Sequence, residues 1–97
     1  MEYLYDEVEK ASVRYIGIIT TGMRYDLSMV FTHQFYGKTL VIDMQRGRCF
    51  LLSLEDVEET ESLQKFLGVE SLEETKELAN FLQAHLPSDS VNTRVGW

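Results

Sequence analysis

A chain of 97 residues, 44% hydrophobic and 26% charged, is sized for one globular domain with its own core. Its net charge of −7 at pH 7 disfavours nucleic acid as a direct electrostatic partner. The single Cys49 excludes an internal disulfide, and no apolar run approaches the ~20 residues that span a bilayer.

The first ten residues, MEYLYDEVEK, are acidic and lack the basic start and apolar run of a signal peptide, so a cytoplasmic location is expected. They also carry Tyr3, Leu4, Tyr5 and Val8. Residues 12–20 are β-branched and aromatic and apolar on both parities, which predicts a strand covered on both faces. Residues 26–34 and 38–45 alternate, with Leu27, Met29 and Phe31 together on one side of the first and Leu40, Ile42 and Met44 together on one side of the second. Residues 48–53 form a shorter strand of the same kind.

Gly37 and Gly47 suit tight turns that need positive φ. A two-residue loop at Tyr36–Gly37 sets Phe31 opposite Ile42 and Met29 opposite Met44. A second at Arg46–Gly47 pairs Met44 with Cys49 and Ile42 with Leu51. Both loops then choose a single inward face. The other face would hold Val30, Val41, Phe50 and Leu52 beside Ser28, Thr32 and Asp43. That is too apolar for water, so either the N-terminal segment or a second copy of the chain is expected to cover it.

Beyond Ser53 the period changes. Leu54 and Val57 predict a short irregular turn, followed by a helix over about 60–67 that Gly68 ends in a left-handed conformation. Ser71 and Glu74 have capping-box spacing, and Leu78, Phe81, Leu82 and Leu86 give a helical stripe over 71–86 that Pro87 stops. Residues 87–97, polar apart from Val91, Val95 and Trp97, are expected to be a flexible tail. The fold class is therefore α+β: a four-stranded antiparallel meander followed by two C-terminal helices, with residues 1–86 as one domain. Charge is split between its halves. Residues 53–86 hold nine acids against Lys65 and Lys76, whereas the strands are mildly basic.

No residue set declares a chemistry. Cys49 and His33 are the obvious nucleophile and base, but the expected register holds them about 13 Å apart along the sheet. A buried structural thiol is the expectation for Cys49. His33 and His85 are the only histidines, and neither metal-ligand spacing nor a calcium loop occurs. The six glycines are scattered, so no phosphate-binding loop is present. No metal, cofactor or catalytic residue is expected.

Two charged features remain. In a meander the first and third turns lie at one end, which would gather Arg24, Arg46 and Arg48 there, beside Tyr25 and Asp26. Such a rim could hold an anion or a partner's carboxylates, or pair with the chain's own acids. The run 55–61, EDVEETE, could mimic nucleic-acid phosphate towards a basic partner, or simply be a solvated helix start.

The residues Arg24-Tyr25-Asp26, Thr32, Phe35-Tyr36-Gly37-Lys38, Leu40-Val41-Ile42, Met44-Gln45, Gly47-Arg48 and Leu51-Leu52-Ser53, with Leu63-Gln64-Lys65, carry a resemblance over most of the chain. The sequence resembles a family of small uncharacterised cytosolic proteins of Gram-positive bacteria, a domain of unknown function. The resemblance implies a bacterial cytosolic origin and a meander with helices, and it assigns no functional residue.

The leading expectation is a non-enzymatic protein-interaction or regulatory module whose partner includes a second copy of itself. A binder of small anions or phosphometabolites at the arginine rim is the first alternative. An acidic nucleic-acid mimic is the second.

Overall fold

The structure, a computed structural model, describes residues 1–87. The expected tail from residue 88 onward lies outside the described residues. Strands β1 (Ser12–Ile19), β2 (Arg24–Phe31), β3 (Thr39–Asp43) and β4 (Arg48–Leu52) form one antiparallel sheet in the order β1-β2-β3-β4. Helices α1 (Leu54–Glu58), α2 (Thr60–Leu67) and α3 (Leu72–His85) follow. The fold is the α+β meander with C-terminal helices, with three helical segments in place of the two expected.

Local chemistry sets each boundary. At α1, Ser53 and Asp56 form a reciprocal capping box, which turns the expected irregular segment into a helical turn. Glu59, extended at φ −97° and ψ 96°, separates α1 from α2. Gly68 takes φ +71°, and its N–H reaches Gln64 O at 2.9 Å while Val69 N–H donates to the same carbonyl at 3.3 Å. Ser71 caps α3 by accepting from Glu74 N–H at 3.2 Å.

The helices cover one face of the sheet. Leu27, Met29, Val41, Phe50 and Leu52 meet Val57, Leu63, Leu78, Leu82 and Leu86 in a single core. Each such side chain contributes roughly 1.5–3 kcal/mol by leaving water.

The register corrects the expected faces. Met29 lies opposite Val41 and not Met44, and Val41 lies opposite Phe50. The Tyr36–Gly37 turn does form, with φ of 56° and 84° and a 3.1 Å bond from Lys38 N–H to Phe35 O. The chain, however, loops out over Thr32–Gln34 before reaching it. Thr32 Oγ1 accepts from Gln34 N–H at 3.2 Å and donates to Glu9 at 2.8 Å, while His33 N–H donates to the same carboxylate at 3.2 Å. An excursion of three residues is odd, so it reverses the parity of β3 and β4 against β2. Between β3 and β4 the loop is Met44–Gly47, organised by Asp43. Its Oδ1 accepts from Gln45 and Arg46 N–H at 3.2 Å each, and its carbonyl accepts from Gly47 N–H at 2.8 Å. That shift is even and leaves β3 and β4 in phase.

Val41, Phe50 and Leu52, expected on the second face, therefore lie in the core, at 3%, 9% and 1% exposure. Of the four apolar residues expected there, only Val30 stays on the outer side, with Ser28 beside it. Strand β1 is likewise not covered on both faces. It is one of the sheet's two edges, no residue of it is buried, and only Ile16 and Ile18 pack against the core.

Candidate functional site

Two surfaces are available, one on each side of the sheet. The outer face has no helix over it. By strand parity it presents Val13, Tyr15 and Ile19 from β1, Val30 from β2, Leu40 and Ile42 from β3, and Cys49 and Leu51 from β4, with Met44 at its margin. Tyr15 is 72% and Ile19 83% exposed. Cys49, expected buried, is exposed here opposite Ile42. The N-terminal residues Tyr3, Leu4, Tyr5 and Val8 are also exposed and do not cover this face. Glu9, held by Thr32 and His33, is where that segment is fixed to the sheet.

The helix side holds a cleft of about 510 Å³ between the sheet and α3. Leu27, Val41, Phe50 and Leu52 form its sheet wall, and Leu78 and Leu82 its helix wall. At one end the buried Glu74 carboxylate accepts from the Thr20 hydroxyl at 2.6 Å and the Tyr25 hydroxyl at 2.7 Å. Burial raises the Glu74 pKa, but the two hydroxyls, the Gly22 N–H and the charge of Arg46 outweigh it and hold the group below its ordinary value. Burial, with the bond to anionic Glu74, pushes the Tyr25 phenol up to about 12.

The three arginines do not converge. Arg24 lies on the outer side and pairs with Asp26 at 3.2 Å. Arg46 and Arg48 line the cleft, yet each has partners within the chain. Arg46 meets the buried Asp43 at 3.0 Å and lies 4.8 Å above the Tyr25 ring. Arg48 donates to the carbonyls of Leu67 at 2.9 Å and Phe66 at 3.4 Å, closing the end of α2, and lies over Phe50. Across the mouth stand Glu70, Glu73 and Glu77.

In the acidic run, Asp56 belongs to the α1 capping box and bridges Lys38 at 3.2 Å, whereas Glu55, Glu58, Glu59 and Glu61 are exposed. His33 lies past the end of β2, and Cys49 is level with Ile42 and through it Ser28, so the two are not neighbours. Sequence reasoning missed Glu74 as a cleft residue. Its spacing from Ser71 marked it only as half of a capping box, while the side chain turns away to Tyr25. Among the described residues no helix is long and apolar enough to cross a membrane.

Comparison with protein families gives a match over residues 4–84 to the SAV0927-like family. The chain belongs to the SAV0927-like family. The SAV0927-like match runs from the N-terminal segment to the last turn of α3, so it contains every residue of the cleft and every strand of the outer face. No curated protein matches the chain. The family description carries no activity.

Proposed function

We propose that the chain is a cytoplasmic, non-enzymatic interaction module that works as a homodimer, two copies meeting through the outer faces of their sheets. The carrying observation is that face itself. Val13, Tyr15 and Ile19 of β1, Leu51 of β4 and the flanking Met44 stand exposed beside half-buried Val30, Leu40 and Ile42, with no helix over them. A lone accessible thiol in their midst suits a reducing compartment.

Size supports a second copy as the occupant. Four strands ~4.8 Å apart and about seven residues long present roughly 400 Å² per copy. A standard interface needs about 800 Å² per partner. The N-terminal segment supplies the difference, since Tyr3 and Tyr5 are exposed and each such ring buries roughly 150–250 Å² when covered. A sheet face meeting its own copy is self-complementary under a two-fold axis.

Light scattering across about 1–100 µM tests this. Dimer mass is expected for the native chain and a shift to monomer for Tyr15→Lys, a position exposed enough to leave folding intact. A native chain that stays at 11.3 kDa throughout overturns the proposal.

A further inference from the structure

The cleft on the helix side is independent of that dimer, because it opens on the opposite face of the sheet. We propose that it binds a small organic cation: an ammonium or guanidinium group carried on an apolar body of about phenylalkyl size.

The volume of about 510 Å³ lies within the range of small-molecule sites, roughly 300–1,000 Å³. The walls, Leu27, Val41, Leu78 and Leu82 among them, call for an apolar body. Charge decides its head group. Five carboxylates line the cleft, those of Asp43, Glu70, Glu73, Glu74 and Glu77, against the two guanidinium groups of Arg46 and Arg48. Arg46 is neutralised by Asp43, and Arg48 is held by carbonyls at the negative end of α2. Glu74 has its hydroxyl partners.

Three carboxylates are left at the mouth. Glu73 and Glu70 have no side-chain bond or ion pair among the described residues, and Glu77 takes only two long contacts of 3.3 Å from Thr21 N–H. An anionic ligand would meet these three and find both arginines engaged. A cation would meet uncompensated negative charge at the edge of low-dielectric walls, where it is least screened. The apolar walls beside this charge favour a cation with an organic body, and among the described residues no three His, Cys, Asp or Glu side chains are grouped to hold a metal ion.

Three ligands with one body and different heads separate the possibilities: 4-phenylbutylamine, 4-phenylbutanol and 4-phenylbutanoate. Each is titrated into the full chain at pH 7 and low salt while amide chemical shifts are followed by nuclear magnetic resonance. The amine is expected to move the amides of Gly22, Gly68 and Glu73–Leu78 and to bind about tenfold tighter than the carboxylate, a gap that 300 mM salt narrows. The double variant Glu73→Gln/Glu77→Gln is expected to weaken the amine about fivefold and leave the alcohol unchanged. Glu73 is exposed, and Glu77→Gln keeps a side-chain oxygen to accept from Thr21 N–H, so folding is not at risk. Equal or tighter binding of the carboxylate, an unchanged amine affinity in the double variant, shifts confined to Tyr15 and Ile42 on the outer face, or no shift at about 5 mM amine each overturns the proposal.

Discussion

The Tyr25 hydroxyl donates to the Glu74 carboxylate at 2.7 Å, joining the start of β2 to the first turn of α3 across 49 residues of sequence. Thr20 donates to the same carboxylate at 2.6 Å and its hydroxyl also accepts from Met23 N–H at 3.1 Å, so the β1–β2 turn is tied in as well. One buried anion thus fixes the end of the sheet against the helix that forms the cleft's far wall.

Removing Glu74 is expected to cost more than removing either hydroxyl. Glu74→Ala leaves Thr20 and Tyr25 with unpaired buried donors and should lower stability by about 2–4 kcal/mol. Tyr25→Phe, which removes a single hydrogen bond, should cost about 1–2 kcal/mol. Chemical denaturation of the three proteins checks the ranking, and the double variant should cost less than the sum because the two groups share one bond.

Stability should fall at both ends of the pH scale. The Glu74 and Asp56 carboxyls sit below their ordinary values when folded, Asp56 because the Ser53 N–H and Lys38 outweigh its burial. Their contribution is therefore full above the ordinary carboxyl range and is lost as pH drops through ~4 and below. Tyr25 has the opposite sign. Raised to about 12, it favours the folded state up to pH ~10 and loses that contribution between ~10 and 12. Thermal melts against pH should show an alkaline loss that Tyr25→Phe abolishes.

Gly68→Ala should destabilise by about 1–2 kcal/mol through the left-handed backbone alone. An added Cβ would also stand 2.7 Å from Nη1 of Arg48, displacing the guanidinium from the α2 carbonyls. Because that part of the penalty acts through Arg48, the substitution should cost measurably less in an Arg48→Ala background. Equal costs in the two backgrounds, measured by denaturant midpoints, would show that Arg48 moves aside freely.

Cys49 gives a direct reading of whether the outer face is covered. Its reaction rate with a disulfide reagent should drop several-fold as the native chain is concentrated from about 1 to 100 µM. The Tyr15→Lys variant should show no such drop. An unchanged rate in the native protein counts against sheet-face pairing.

Much of the fold was legible because it rests on local periodicity. Alternation marked β2 and β3, and Gly37, Gly47 and Gly68 all adopt the positive φ their positions called for. The faces of β3 and β4 were not legible, because their parity depends on Thr32 meeting Glu9, a contact 23 residues away in sequence. Asp43 read as an outward polar residue. Its side chain is instead buried and builds the following turn, and alternation cannot distinguish these two uses of an aspartate. The apolar character of β1 suggested a strand between two layers. An edge strand with Ile16 and Ile18 packed on the core and its other side chains in solvent has the same composition. The cleft was less legible still, since Glu74 keeps its backbone contact with Ser71 while its side chain goes to Thr20 and Tyr25.

The Thr32–Gln34 excursion constrains how this chain can change over evolutionary time. Lengthening or shortening it by one residue would exchange the two sides of β3 and β4, sending Leu40, Ile42 and Leu51 inward and Val41, Phe50 and Leu52 out to solvent. Changes by two preserve every side chain's environment. Homologous chains should therefore differ in this connection by even numbers of residues, a parity rule imposed on a surface loop that would otherwise tolerate any length.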